Sequence, residues 1–176
     1  MPGSLLSFTS MPQSVSTQTR PYGVDLRLNF ARWLHELAPW SLAATLTFQR
    51  NSVYGQKFNH EILLATLRHF LKLVNQRCFK QSGLKKGYSL GFAASHGLGV
   101  YGVHPHVHLS LAAPEWIPYS TLVEAVERAL SRTDWISKQR KITRYRDYGW
   151  SQYLTDHGTD NIAIELLKPL HAKKIG

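Results

Sequence analysis

A chain of 176 residues with 43% hydrophobic and 11% aromatic side chains has the length and apolar content for one domain with an ordinary core, which excludes a disordered polymer. Twenty-one Lys and Arg against eleven Asp and Glu leave a formal charge of +10, which points to an anionic partner. No apolar run reaches membrane-span length and no strongly basic amphipathic helix is evident, so nucleic acid is favoured and a membrane is not. Cys78 is the single cysteine; it excludes a disulfide framework and a CxxC zinc pair, fits a reducing, cytoplasmic setting, and is expected in the core.

Residues 1 to about 22 read as a loose tail: Leu5, Leu6 and Phe8 give way to Ser, Gln and Thr, with no basic start for a secretory signal. One domain is expected over 23–176. Residues 26–38 predict a short helix with Leu28, Phe30, Trp33, Leu34 and Leu37 near helical spacing, stopped by Pro39. From Leu42 to Arg50 the period changes to two, with Leu42, Ala44, Leu46 and Phe48 alternating with Thr45, Thr47 and Gln49: a half-buried strand with a polar face. Asn59 is placed to cap a helix to about Phe79, buried along Ile62, Leu63, Leu67, Phe70, Leu71 and Val74. A basic turn at Gly83–Gly87 precedes a strand over Tyr88–Ser95, and Gly97, Gly99 and Gly102 mark the turn that follows.

Val103-His104-Pro105-His106-Val107-His108-Leu109-Ser110-Leu111 is the most informative run of the chain. Strand alternation puts His104, His106 and His108 on one face and Val103, Val107, Leu109 and Leu111 on the other. Pro114–Pro118 then breaks the chain. Thr121 and Glu124 have capping-box spacing for a helix through Leu130, with Leu122, Val123, Val126 and Leu130 inward. Lys138, Arg140, Lys141, Arg144 and Arg146 crowd a segment too basic for a core, either an edge strand or a mobile arm, and suited to gripping phosphates. Tyr148–His157 predicts a helix closed by Gly158, and Ile162–Leu167 a last short strand.

The order strand, helix, strand, strand, helix, strand predicts an α+β fold: a mainly antiparallel sheet with helices on one face, ferredoxin-like or RNA-recognition-like. Thr45, Thr47, Gln49 and the histidines then share the open face, where single-stranded nucleic acid commonly lies. His106 and His108, at i and i+2 of a strand, are suited to bind one divalent cation, Mg²⁺ or Mn²⁺, which polarises a phosphoryl oxygen. A tyrosine near such a cation is a competent nucleophile, and its phosphodiester product stores the bond energy for resealing.

Three segments in this order resemble the HUH endonucleases, the His-hydrophobic-His nickases that include rolling-circle replication initiators, relaxases and single-tyrosine transposases. Leu42-Ala43-Ala44-Thr45-Leu46-Thr47-Phe48 resembles the first motif, His106-Val107-His108 the second, and Trp150-Ser151-Gln152-Tyr153-Leu154-Thr155-Asp156 the third, so the resemblance spans residues 42 to about 157. It implies Tyr153 as nucleophile, with Tyr148 and Tyr145 in reserve, and a 5′-phosphotyrosine intermediate on single-stranded or hairpin DNA. Asp156 departs from the lysine that many replication initiators carry there. The family's third metal ligand falls to His96, ahead of the histidine strand, or to His157, four residues beyond Tyr153, the offset that single-tyrosine transposases use. Strict alternation from Tyr88, Leu90 and Phe92 turns His96 to the core, unless a bulge at Gly91 reverses the phase. The resemblance points to a rolling-circle initiator of a plasmid or phage, with a transposase-like nickase as the alternative. No GxxxxGK[ST] loop is present, so replication requires a host helicase.

Two other classes fit some of the residues. His104-Pro105-His106-Val107-His108 satisfies the histidine-triad pattern of metal-free nucleotide hydrolases, although a proline fills one spacer and Ser110 breaks the ending. A non-catalytic RNA-recognition-like module prefers aromatics on its open strands, where this chain has Thr and His.

Overall fold

The computed structural model describes residues 22–51, 55–97, 104–156 and 161–172. Strand β1 (Leu42–Phe48) buries Leu42, Ala44, Leu46 and Phe48 on one side and leaves Thr45 and Thr47 half-buried on the other, as a period of two requires. Strand β2 is Gly91–Gly97, β3 is His106–Ala112 and β4 is Ile136–Arg144. They form one antiparallel sheet in the order β2-β3-β1-β4. Helix α2 (His60–Lys85) joins β1 to β2 and α3 (Tyr119–Leu130) joins β3 to β4. This is the expected ferredoxin-like α+β plan.

The main core lies between the sheet and these two helices. Leu63, Leu67, Phe70 and Val74 of α2 and Leu122 and Val126 of α3 meet Leu46, Phe48, Phe92 and Leu109, each fully buried side chain contributing about 1.5–3 kcal/mol. Asn59 caps α2 as its sequence suggests, its Oδ1 accepting from the Ile62 N–H at 2.8 Å. The helix continues past Phe79 through a kink at Lys80 (φ 52°), which absorbs part of the expected basic turn. Cys78 packs against this core, and burial pushes its thiol up to about 12, so the thiolate is suppressed and the residue is structural.

Three local expectations fail for identifiable reasons. Helix α1 (Tyr22–Glu36) buries Ala31 and Leu34, with Ala38 just beyond it, whereas Leu28 and Trp33 are 41% and 45% exposed; small residues face the sheet because the helix approaches closely. The Thr121/Glu124 capping box does not form: α3 starts earlier, behind Pro118 with no side-chain cap, and Glu124 pairs with Arg77 and Arg128 on the surface. The segment after 161 is not a regular strand. It runs along the outer edge of β2 through the isolated bridges Ser95↔Ile162, Phe92↔Lys168 and Ser89↔His171, interrupted by a 3-10 turn at Ile164–Leu166, and covers an otherwise unpaired edge.

The second face of the sheet is not wholly open, contrary to expectation. Helix α1 and helix α4 (Tyr148–Thr155) lie across it, where Leu34, Ala38, Trp40 and Leu154 pack on Ala93 and Ala112. Gly91 is crowded by β3 and by the C-terminal segment: a Cβ there would stand 2.9 Å from the Ala112 Cβ and 3.0 Å from the Leu170 N, with the Ala38 Cβ at 3.3 Å. No described helix is long and apolar enough to cross a membrane. Of the expected tail, residues 1 to about 22, Tyr22 opens α1 and residues 1–21 lie outside the described residues, as do Gly99, Gly102, Val103, His157 and Gly158.

Candidate functional site

Strand pairing aligns polar residues from all four strands on the second face. Lys141, Thr45, His108 and Ser95 form one row across the sheet, and Thr47, His106 and Gly97 the next. The His106 and His108 rings are 4.9 Å apart, centroid to centroid, at 69°. Gly97 makes room for His106: a Cβ at that position would lie 2.7 Å from the imidazole Cε1 and 2.8 Å from Nε2. His104 precedes the strand and is exposed.

Hydrogen bonds orient both imidazoles. His106 Nδ1 lies 3.2 Å from the His104 carbonyl oxygen; a carbonyl only accepts, so Nδ1–H donates and Nε2 carries the lone pair of the neutral ring. His108 Nδ1 lies 2.9 Å from Thr45 Oγ1, and with Nδ1–H as donor this ring also presents a basic Nε2. That is the arrangement by which an outer hydrogen bond sets a metal-binding tautomer. His108 is only 3% exposed, so it is not a surface histidine.

Helix α4 brings the third motif to this row. Asp147 caps it, its Oδ1 accepting from the Gly149 N–H at 2.9 Å, and Leu154 anchors it in the second core. One turn of helix separates Trp150 and Tyr153, so both meet the histidine: the Tyr153 ring is 4.6 Å from His108 at 70°, and the Trp150 ring 6.0 Å from it at 84°. Tyr153 remains 40% exposed. With Thr45, Thr47, His108, Gln139 and Lys141 it lines a cleft of about 560 Å³. Ser95 Oγ, Ser110 Oγ and Trp150 Nε1 are buried on this side with no hydrogen-bond partner among the described residues.

The reserve tyrosines are committed elsewhere. Tyr148 donates to the Leu28 carbonyl oxygen at 3.1 Å. The Tyr145 hydroxyl bridges His35 Nδ1 at 2.7 Å and Ser151 Oγ at 2.8 Å, and burial raises its pKa.

His96 is corrected as a metal ligand. The β2–β3 register is unbroken, with His96 opposite Val107, so no bulge reverses the phase and the side chain turns to the helix side. There its ring lies 5.2 Å from His60, and its pKa is lowered, by burial first and by His60 next. The competing candidate, His157, lies outside the described residues. Among the described residues no group of three or more His, Cys, Asp or Glu side chains is disposed to hold a metal ion; two imidazoles converge.

The basic segment is an edge strand, and its charges divide between two faces. Lys141 lines the histidine cleft. Arg140 also lines that cleft while its guanidinium pairs with Glu127 of α3, and Arg144 turns to the helix side, its guanidinium 4.0 Å over the Tyr119 ring. Lys138 and Gln49 line an adjoining hollow of about 550 Å³ with His104. The two hollows share Thr47 and Gln139, which makes one trough beside β1. Arg146 is exposed beyond the strand and lines neither hollow.

Sequence reasoning misses Gly97, Trp150, Ser95 and the His35–Tyr145–Ser151 chain. For Trp150 a signal existed, its position three residues before Tyr153 on the same helical face. The others depend on pairing register and on where α1 docks.

No family model and no curated protein matches this chain. Among solved structures it is similar to a dimeric ferredoxin-like protein of unknown function from Thermobifida fusca, with 11% identity, a TM-score of 0.35, and coverage of 61% of this chain and 92% of that one.

Proposed function

We propose that this protein is a metal-dependent endonuclease that nicks and rejoins single-stranded DNA through one tyrosine, most in keeping with a rolling-circle initiator. The observation that carries the reading is the contact of Tyr153 with His108, on the face where His106 also lies. The HUH resemblance requires a helix-borne tyrosine beside the two strand histidines; neither motif alone demands that they meet.

Nε2 of His106 and His108 would hold a divalent cation, which when bound polarises a phosphoryl oxygen and favours ionisation of a nearby phenol. The Tyr153 oxygen attacks phosphorus, its proton passing to solvent. The P–O3′ bond breaks, and the departing 3′ oxygen takes up a proton as the strand's 5′ phosphate becomes esterified to tyrosine. Attack by a 3′ hydroxyl on that ester reverses the step, so joining needs no ATP. Thr45 holds the His108 ring and Trp150 flanks the nucleophile, while Lys141 and Lys138 offer sequence-independent contacts to phosphates along the trough. Replication in a cytoplasmic setting would then call on a host helicase to open the duplex.

The test is a denaturing gel with labelled single-stranded and hairpin DNA. The nickase gives a protein–DNA adduct with Mn²⁺ or Mg²⁺ and none in EDTA. A histidine-triad hydrolase keeps its activity in EDTA, and a binding module makes no adduct.

A further inference from the structure

We propose that a second cleft, at the end of the sheet where β1 begins and β4 ends, binds one unpaired nucleotide of the same DNA strand, with its base on Trp116 and its phosphate on Arg144; this rests on the nickase reading. The cleft has a volume of about 580 Å³ and lies between the loops around Trp40 and Trp116 and the end of β4, a size suited to a small-molecule-sized guest.

Its walls have the chemistry of a nucleotide. Trp116 is 44% exposed, a large flat ring presented to solvent, and base-on-aromatic stacking is the usual means of holding an unpaired base. Trp40 forms a fixed wall, 8% exposed with its indole N–H donating to the Leu34 carbonyl oxygen at 2.8 Å. The Arg144 guanidinium carbon lies over the Tyr119 ring, 4.0 Å from its centroid. A guanidinium set on a ring, without a carboxylate partner, has N–H donors to offer phosphate oxygens. Among the described residues Arg144 enters no ion pair, in contrast to Arg140, which is held by Glu127. Glu115 also lines the cleft; a carboxylate there repels a second phosphate but accepts from the amino or imino N–H of a base.

The position relates the cleft to the cutting site. Arg144 is three residues along β4 from Lys141, which lines the histidine cleft, or about 10 Å at the rise of a strand. Lys141 and Arg144 face opposite sides of β4, so a DNA strand that reaches both clefts crosses over the exposed β4 edge. Tyr145 lines this cleft while its hydroxyl bonds Ser151 of α4, the helix that carries Tyr153.

The test is titration of the four deoxynucleoside monophosphates into the full-length protein in EDTA, read by tryptophan fluorescence and calorimetry. At least one should bind saturably. Affinity should fall roughly tenfold in Trp116→Ala and in Arg144→Gln, both at exposed positions, and stay unchanged in His106→Ala. Absence of saturable binding, or binding that survives both substitutions, overturns the cleft assignment. A Tyr153 adduct without nucleotide binding overturns this inference alone; nucleotide binding without any adduct supports the cleft and removes the nickase.

Discussion

The Tyr153 ring stands edge-on to His108, 4.6 Å between centroids at 70°, and the two residues come from elements 45 positions apart (153 − 108) in the chain. This contact ties α4 to the central strands and gives the histidine row a phenol at its border. Its consequences extend to the residues that fix each partner.

Thr45 fixes His108. Thr45→Val removes the hydroxyl that hydrogen-bonds His108 Nδ1 while keeping the side chain's shape. Loss of such an outer contact weakens metal affinity by about 10-fold or more. Manganese binding followed by electron paramagnetic resonance should show this, with the fold intact by circular dichroism; unchanged affinity would mean that the imidazole is not a ligand.

Gly97 is a space requirement. In Gly97→Ala the new Cβ would overlap the His106 ring, so the imidazole must turn aside; the fold should change little, while manganese affinity should fall about 10-fold or more. A variant that binds manganese as tightly as the natural protein would show that His106 does not depend on its present ring position.

Alternation, caps and charge are what the sequence made legible. The histidine face, the first three strands, the Asn59 cap and the helix bearing Tyr153 follow from periods of two and 3.6 and from local side-chain bonds, whereas the basic segment was open between an edge strand and a mobile arm. His96 was ambiguous because a glycine permits a bulge, and only the observed register against Val107 decides its face. The partial cover over the second face was not legible: α1 carries a mixed pattern with Leu28 and Trp33 exposed, and its docking depends on the small residues Ala93, Ala112 and Gly91 of distant strands. The division of the basic strand depended likewise on which partners, Glu127 and Tyr119, the helix side supplied.

Ser151 positions α4 through Tyr145. Ser151→Ala breaks a part-buried hydrogen bond worth about 1 kcal/mol, leaves the Tyr145 hydroxyl to His35 alone, and should lower both the denaturation midpoint and the yield of adduct. Equal stability with full adduct yield would argue that α4 is held by Leu154 and its apolar neighbours without this chain.

Acid should weaken the fold through His96. Burial, and then the neighbouring His60 imidazole, hold its pKa below the ordinary value, with Glu165 opposing. An unfolded histidine titrates near 6.5, so on acidification the unfolded chain takes up this proton first. Stability therefore falls as pH drops through the interval between that value and the lowered one, and levels off below it. Urea midpoints measured from about pH 7 to about pH 5 should fall less in His96→Gln than in the natural protein; parallel slopes would sink the assignment.

Lysines of the trough should dominate DNA binding over the paired arginine. Lys141→Ala and Lys138→Ala should each flatten the salt dependence of single-strand affinity by about 0.7 in log–log slope, whereas Arg140→Ala, which unpairs Glu127, should change it less. A larger effect at Arg140, which also lines the cleft, would show that pairing with Glu127 does not withhold it from DNA.

The most direct measurement is to digest the covalent product and locate the modified peptide by mass spectrometry. A nucleotide joined through phosphate to Tyr153 is expected, formed only with a divalent cation and absent from Tyr153→Phe. A nucleotide on any other residue, an undiminished adduct in Tyr153→Phe, or cleavage in EDTA would contradict it.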